Sequence, residues 1–143
     1  MRRLLILAVV ALSLSLAATA AAGKSKYAGD IDPSGEIAFT LKKKNSKVAV
    51  LKLRWSALPV NCGGTADTTS GGLSFAVPVV KKAFKARAVL GKPSKPEAKA
   101  RIDGKLAGKK ASGKITLEGS KLPLDSGGSG DCRSGKLDWS AAK

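Results

Sequence analysis

The side chains that most often perform enzyme chemistry are scarce in this sequence. Its 143 residues include no histidine and only two cysteines, Cys62 and Cys132. Without histidine, a serine or cysteine nucleophile has no imidazole base, and the usual zinc sites lack a ligand. These classes of catalysis are therefore not expected.

Carboxylates and serine–lysine pairs are the remaining catalytic candidates. Glu97, Asp103 and Asp138 fall at the polar positions of alternating segments, which predicts that they face water as partners for lysines. The one Ser-x-x-Lys spacing, Ser140 to Lys143, lies at the last residues of the sequence. The sequence thus predicts a non-enzymatic protein without a cofactor.

One segment resembles half of a calcium-binding loop. Residues 30–35 read Asp-x-Asp-x-Ser-Gly, the first six positions of that pattern, but Leu41 stands where a bidentate glutamate is needed. Asp32-Pro33-Ser34-Gly35 also has the residues of a type I turn. We therefore expect a turn here and no metal site.

The N-terminal residues have the pattern of a secretory signal peptide. Arg2 and Arg3 precede an apolar run of 13 residues, Leu4 to Leu16, which is too short to span a membrane. Small residues then lead to Ala22, where cleavage is expected. The prediction is a secreted protein with one domain at residues 23–143, no membrane span and a monomeric state.

Export bears on the two cysteines, because thiols oxidise outside the cytoplasm. We expect a Cys62–Cys132 disulfide. The segments that contain them, residues 59–72 and 119–134, are expected to be the two long loops.

Alternation of apolar and polar residues dominates the rest of the chain and predicts strands. It is expected to place Phe39, Trp55, Phe75, Phe84 and Trp139 on the apolar side. Seven strands are readable, with an eighth near Tyr27, which predicts an all-β antiparallel meander folded as a small barrel or a sandwich. The alternating segments are residues 36–42, 48–55, 73–79, 84–90, 97–106, 113–117 and 136–141.

The basic charge is the feature with the most functional content. After loss of residues 1–22 the chain keeps 24 basic and 10 acidic side chains, a formal charge of +14. Such a charge attracts anionic polymers and surfaces without reading their fine structure, and lysines also serve as solubilising groups. The candidate contact residues at polar strand positions are Lys52, Arg54, Lys85, Arg87, Lys99, Arg101 and Lys105.

The apolar side suggests an alternative function. One wall of the predicted interior is thin because its side chains are small, at Ala98, Ala100, Gly104 and Gly113. This would leave room for a small apolar ligand unless facing side chains fill the space. The two hypotheses are binding of an anionic polymer or envelope surface, without specific nucleic-acid recognition, and a small-barrel carrier.

Several short motifs are spread over residues 27–141. They are Tyr27-x-Gly29, Gly35-x-Ile37-x-Phe39, Cys62, Phe84, Gly104-x-Leu106, Gly113-x-Ile115 and Cys132-x-x-Gly135-x-Leu137-x-Trp139-x-Ala141. Together they resemble those of small exported bacterial single-disulfide β-proteins of uncharacterised function. The resemblance implies the fold and the single disulfide, and it carries no known site residue.

Overall fold

The structure is a computed structural model that describes residues 23–143. The predicted signal peptide, residues 1–22, lies outside the described residues. The described chain forms ten strands: β1 Lys24–Ile31, β2 Glu36–Lys44, β3 Lys47–Cys62, β4 Thr65–Gly72, β5 Val77–Val79, β6 Ala83–Lys92, β7 Lys95–Ala107, β8 Lys110–Pro123, β9 Ser129–Arg133 and β10 Leu137–Ala142.

Tight turns join most consecutive strands. Asn45 and Ser46, between β2 and β3, have φ values of 49° and 63°, as a two-residue type I′ hairpin requires. The predicted turn at Asp32–Gly35 joins β1 to β2, and its Asp32–Pro33 peptide bond is cis rather than the trans bond of a type I turn. These turns make neighbouring strands antiparallel.

All ten strands belong to one antiparallel sheet. Its main order is β10-β1-β2-β3-β9-β8-β7-β6, and β10 also pairs with β8. Six strands therefore form a closed ring, while β7 and β6 continue from β8 outside it, and β4 and β5 both pair with β3. The prediction of an antiparallel all-β meander is confirmed, with ten strands in a partly closed ring that is not a regular barrel.

Strand β3 connects the different parts of the sheet because it is long and bent. Its 16 residues contain two with positive φ, Lys52 at 51° and Ala57 at 49°, and the register shifts near both. Such bulges bend a strand and increase its twist. The first half of β3 pairs with β2 and β5, and the second half with β4 and β9.

Four aromatic rings pack together at the centre of the core. Tyr27 stacks on Phe39 with ring centroids 5.1 Å apart, and Phe84 and Trp139 lie 5.8 and 5.9 Å from Phe39. The Tyr27 hydroxyl donates a hydrogen bond to the Gly108 carbonyl at 3.2 Å. Tyr27, which the alternation left without a role, is thus a core residue in the predicted additional strand.

The structure corrects the apolar sides predicted for the alternating segments 73–79 and 84–90. Residues 73–76 are not part of a strand, and Phe75 is 44% exposed rather than buried. Leu90 is also exposed, at 47%. Trp55 and Trp139 are buried as predicted, and within residues 23–143 neither indole N–H has a hydrogen-bond acceptor.

Candidate functional site

The predicted disulfide between Cys62 and Cys132 is confirmed. Its S–S distance is 1.98 Å and it joins positions 70 residues apart. Both cysteines lie in strands, so the prediction of two long loops at residues 59–72 and 119–134 is wrong: these segments contain β4, β9 and the ends of β3 and β8. The first segment was assigned as a loop because β4 is composed of threonine, serine, glycine, alanine and aspartate, without a large apolar face.

The position of the disulfide explains what it contributes to the fold. Strand β3 meets β9 through a single residue pair, Asn61 with Arg133, next to the two cysteines. This is the shortest pairing in the closed ring. The covalent bond therefore holds the ring together where backbone pairing contributes least.

Five of the seven predicted contact residues come together on β6 and β7. Lys85 and Arg87 project outward from β6, and Lys99, Arg101 and Lys105 project outward from β7. With Lys114 on β8 they form what we term the basic face: Lys85, Arg87, Lys99, Arg101, Lys105 and Lys114. All six side chains are exposed.

Charges on the basic face are arranged in rows across the strands. One row alternates in sign: Lys85 is opposite Asp103, which is opposite Lys114, which is opposite Asp138. The Lys114 ammonium donates a hydrogen bond to the Asp138 carboxylate. This row is internally neutralised.

The adjacent row on the same face carries only positive charge. Arg87 on β6 is directly opposite Arg101 on β7, and the next residue in the row is Thr116 on β8. Directly opposed side chains in antiparallel strands have Cβ atoms about 4.5–5.5 Å apart, and like charges there are destabilising. The two guanidinium groups therefore form a cationic pair that no carboxylate in their own row neutralises.

The other two predicted contact residues are elsewhere. Lys52 and Arg54 project from β3, which pairs with neither β6 nor β7. Arg54 shares a shallow depression with Asp30 and Glu36, so its surroundings carry both signs of charge. The seven residues thus do not form one patch.

The interior is filled beside the two glycines of the predicted thin wall. A side chain at Gly104 would overlap the Phe84 ring and would place its Cβ 2.9 Å from Trp139 Cζ2. Gly113, opposite Gly104 on β8, is covered by the same indole, with Cζ2 2.8 Å from a Cβ at that position. Large aromatic side chains therefore occupy the space that these glycines leave.

Ala98 and Ala100, the other half of the thin wall, line an open groove of about 450 Å³. We term it the apolar groove. Its floor contains core residues, and Lys99 is its only charged lining residue. Among the residues that line the groove are Trp55, Leu73, Phe75, Ala88, Val89, Leu90, Ala98, Ala100, Leu117 and Leu122.

The rim of the apolar groove was missed by the alternation pattern. Phe75, Val89 and Leu90 are 44%, 51% and 47% exposed, and all three line it. Val89 and Leu90 are consecutive apolar residues at the end of an otherwise alternating strand. That break in period was the available signal, because it leaves apolar side chains on both sides of the strand.

Carboxylates elsewhere in the described chain form hydrogen bonds that tie segments together. Asp125 accepts hydrogen bonds from the Thr68 and Ser70 hydroxyls at 2.7 and 3.1 Å. The Ser126 hydroxyl and the Thr68 N–H donate to Asp67 and hold the pKa of its carboxyl below the ordinary 3.8. The hydrogen bonds from Thr68 and Ser70 to Asp125 and from Ser126 to Asp67 attach β4 to the segment after β8.

Neither a metal site nor a membrane-spanning helix is found in the part of the chain that the structure describes. No group of three or more histidine, cysteine, aspartate or glutamate side chains converges at residues 23–143. The same residues include no helix that is long and apolar enough to cross a bilayer. Asp30, of the calcium-like segment, lies in β1, and the turn follows that strand.

The fold and these surfaces define an all-β domain with one disulfide. Comparison of the chain with protein-family models, curated proteins and solved structures found no match, so no family is identified. The disulfide is the feature of the structure that fits an oxidising, extracytoplasmic setting.

Proposed function

We propose that this domain is exported and binds anionic polymers through the basic face. The observation that carries the proposal is the Arg87–Arg101 pair, two directly opposed cations with no carboxylate in their row. Directly opposed like charges are destabilising, and an anion between them removes that repulsion. Directly opposed lysines also occur, as at Lys44 and Lys47 beside a turn, but the arginine pair lies near the middle of its two strands and within the basic face.

Arginine is suited to this contact. Its planar guanidinium donates paired hydrogen bonds to phosphate, sulfate or carboxylate groups, whereas lysine acts as a point charge. Along β7, outward side chains recur every second residue, about 7 Å apart. Lys99 and Arg101 therefore contact successive charges of a polymer rather than one small anion.

Weak ion pairing leaves the basic face available. Within residues 23–143 the described ion pairs are Lys114–Asp138 and Lys121–Glu97, and both are solvent-exposed. Exposed pairs of this kind contribute about 0–1 kcal/mol. Neither includes Arg87 or Arg101, so binding a polymer at the pair breaks no described ion pair.

The carrier hypothesis has less support as a primary function. Aromatic rings fill the interior at Gly104 and Gly113, and the space beside Ala98 and Ala100 is a groove open to solvent. A carrier ordinarily buries about 70–90% of its ligand and orients it with a few converging polar groups. The Thr69 hydroxyl, in the groove lining, already donates to the Pro123 carbonyl at 2.6 Å.

The proposal is tested by removing the arginine pair and, as a matched control, two lysines at another site. Arg87→Gln/Arg101→Gln removes two positive charges from exposed strand positions, and Lys109→Gln/Lys110→Gln removes two from exposed positions at the turn between β7 and β8, where neither lysine is paired with another cation. We expect wild type and the lysine variant to bind heparin and duplex DNA in about 50 mM salt, and the arginine variant to bind several-fold more weakly. For DNA, the slope of log K against log salt should become shallower by about 0.9 for each phosphate that the variant no longer neutralises.

Thermal unfolding separates binding from folding. The arginine variant should be as stable as wild type or slightly more stable, because it removes a like-charge pair from an exposed surface. Equally weakened binding in both variants would assign retention to net charge alone. Absence of binding by the wild-type protein would refute the proposal.

A further inference from the structure

The outer edge of β6 is open in the described structure. β6 pairs with β7 along one side, and on its other side the backbone pairing is limited to the bridge between Val80 and Ala83 at its start. Beyond Phe84, the N–H and C=O groups on that side have no strand partner among residues 23–143. Such an edge is a template for another strand.

The apolar groove lies beside this open edge. Its lining includes Ala88, Val89 and Leu90 of β6 together with Gly71 to Phe75. Four large apolar side chains are exposed in residues 23–143, and three of them, Phe75, Val89 and Leu90, line the groove. A concentrated apolar patch of this kind marks an interaction site more often than isolated exposed residues do.

From these observations we propose that an extended peptide segment with alternating apolar and acidic residues adds as a strand to the edge of β6. Its backbone pairs with β6 beyond Phe84, and its apolar side chains enter the apolar groove. Main-chain hydrogen bonds then supply affinity, and the groove selects alternate side chains.

The basic side chains of β6 determine which polar residues the added peptide should carry. Lys85 and Arg87 project outward from β6, so two alternate residues of an added strand would be their cross-strand neighbours. Opposite charges are favourable in such pairs and like charges are unfavourable. Acidic residues at these positions are therefore preferred.

The same charges disfavour a second copy of this chain as the occupant. Pairing two β6 edges would bring Lys85 and Arg87 of one copy close to those of the other. A small apolar molecule would fill the groove but would leave the β6 backbone unpaired. A peptide strand is the occupant that satisfies the groove, the charges and the backbone edge together.

This inference does not depend on the proposed polyanion function. The peptide's acidic residues would meet Lys85 and Arg87 of the basic face, but its backbone pairing and apolar contacts use the β6 edge and the apolar groove. Failure of the domain to bind heparin would leave it intact.

The test uses synthetic seven-residue peptides with blocked ends and isothermal titration calorimetry against the domain at residues 23–143. The first peptide alternates valine and glutamate. The second has the same sequence with N-methylated backbone amides, and the third alternates valine and lysine. We expect the first to bind, the second at least about tenfold more weakly because it cannot donate to a strand edge, and the third not to bind.

Domain variants locate the peptide on the surface. Phe75→Ser/Leu90→Ser changes two exposed rim residues and should weaken the valine–glutamate peptide at least about fivefold, as removal of interface anchors does. Val80→Ser is the matched control, because Val80 is 64% exposed and does not line the groove. It should bind as wild type does, and thermal unfolding checks that both variants fold.

Three results would overturn the proposal. One is equal binding of the methylated peptide, which would show that no strand forms. Another is unchanged binding by Phe75→Ser/Leu90→Ser, which would place the peptide elsewhere. The last is displacement of the peptide by a medium-chain fatty acid of higher affinity, which would assign the groove to a small amphiphile.

Discussion

Gly104 provides the most direct test of how the core is packed. Replacing it with alanine adds one methyl group where the Phe84 ring and the Trp139 indole already meet the backbone of β7. The new Cβ would lie 2.9 Å from Trp139 Cζ2 and closer still to the Phe84 ring. Carbon atoms ordinarily approach to about 3.5–4.0 Å, so at least one ring must move.

The expected cost follows from that overlap. Overpacking by one methyl group in a close-packed core destabilises by about 1–3 kcal/mol. For a domain of this size, each kcal/mol lowers Tm by about 4 °C. We therefore expect Gly104→Ala to lower Tm by about 4–12 °C, measured by calorimetry, with a matching shift in a urea titration of intrinsic fluorescence.

A double-mutant cycle identifies the cause. Phe84→Leu removes the ring atoms that the Gly104→Ala methyl would meet, so the methyl should cost at least about 0.5 kcal/mol less in that background. Gly113→Ala is the control, because its methyl would overlap the backbone carbonyl of Asp103, which Phe84→Leu does not move. A cost of Gly104→Ala below about 0.5 kcal/mol, or one independent of residue 84, would refute this packing.

Three further predictions follow from the core, the disulfide and Asp67. Trp139→Ala should lower the free energy of unfolding by about 3–5 kcal/mol in urea titration, because its indole is buried among aromatic rings; near-native stability would contradict that position. The oxidised protein should have a mass about 2 Da below that of the reduced form and no alkylatable thiol. Cys62→Ser/Cys132→Ser should lower the free energy of unfolding by about 4 kcal/mol, which is the chain-entropy value for a bond that joins positions 70 residues apart. The pKa of Asp67 is lowered by the Ser126 hydroxyl, so its stabilising contribution is present above its unfolded value and is lost as pH falls through the folded value. Asp67→Asn should consequently lose less stability than wild type on acidification below about pH 4. Parallel curves of unfolding free energy against pH for the two proteins would contradict this prediction.

Much of the strand content could be predicted because a strand with one buried side has a local signature. Ile37 and Phe39 alternate with exposed residues on β2, and Ala98, Ala100 and Ile102 do so on β7. All five are buried, as their spacing indicated. Period-two alternation needs only neighbouring residues in the chain, so it is readable without knowing the partner strand.

Segments without that signature were misassigned. β4 contains Thr69 as its one fully buried residue and otherwise carries small or polar side chains, which are typical of a loop. Its strand conformation comes from pairing with the second half of β3. The break at residues 73–76, which exposes Phe75, lies between the segments that pair with β3 on either side of its Lys52 bend.

The exposure of the candidate basic residues could be predicted, but their arrangement could not. All seven basic positions are exposed, as alternation indicated. Alternation says which side of its own strand a residue occupies, and it does not say which residue lies opposite. The direct opposition of Arg87 and Arg101, and the separation of Lys52 and Arg54 from both, follow from strand order and register.

Local spacing and a cysteine count of two were enough to determine the all-β class, the disulfide partners and the buried side of most strands. Tertiary contacts determined that the ring closes through β10–β8 and the disulfide, that aromatic rings fill the space beside Gly104, and that β6 keeps an open edge beside the apolar groove. The physical reason is that closure, register and edge exposure depend on contacts between residues far apart in the chain, and no local period encodes them.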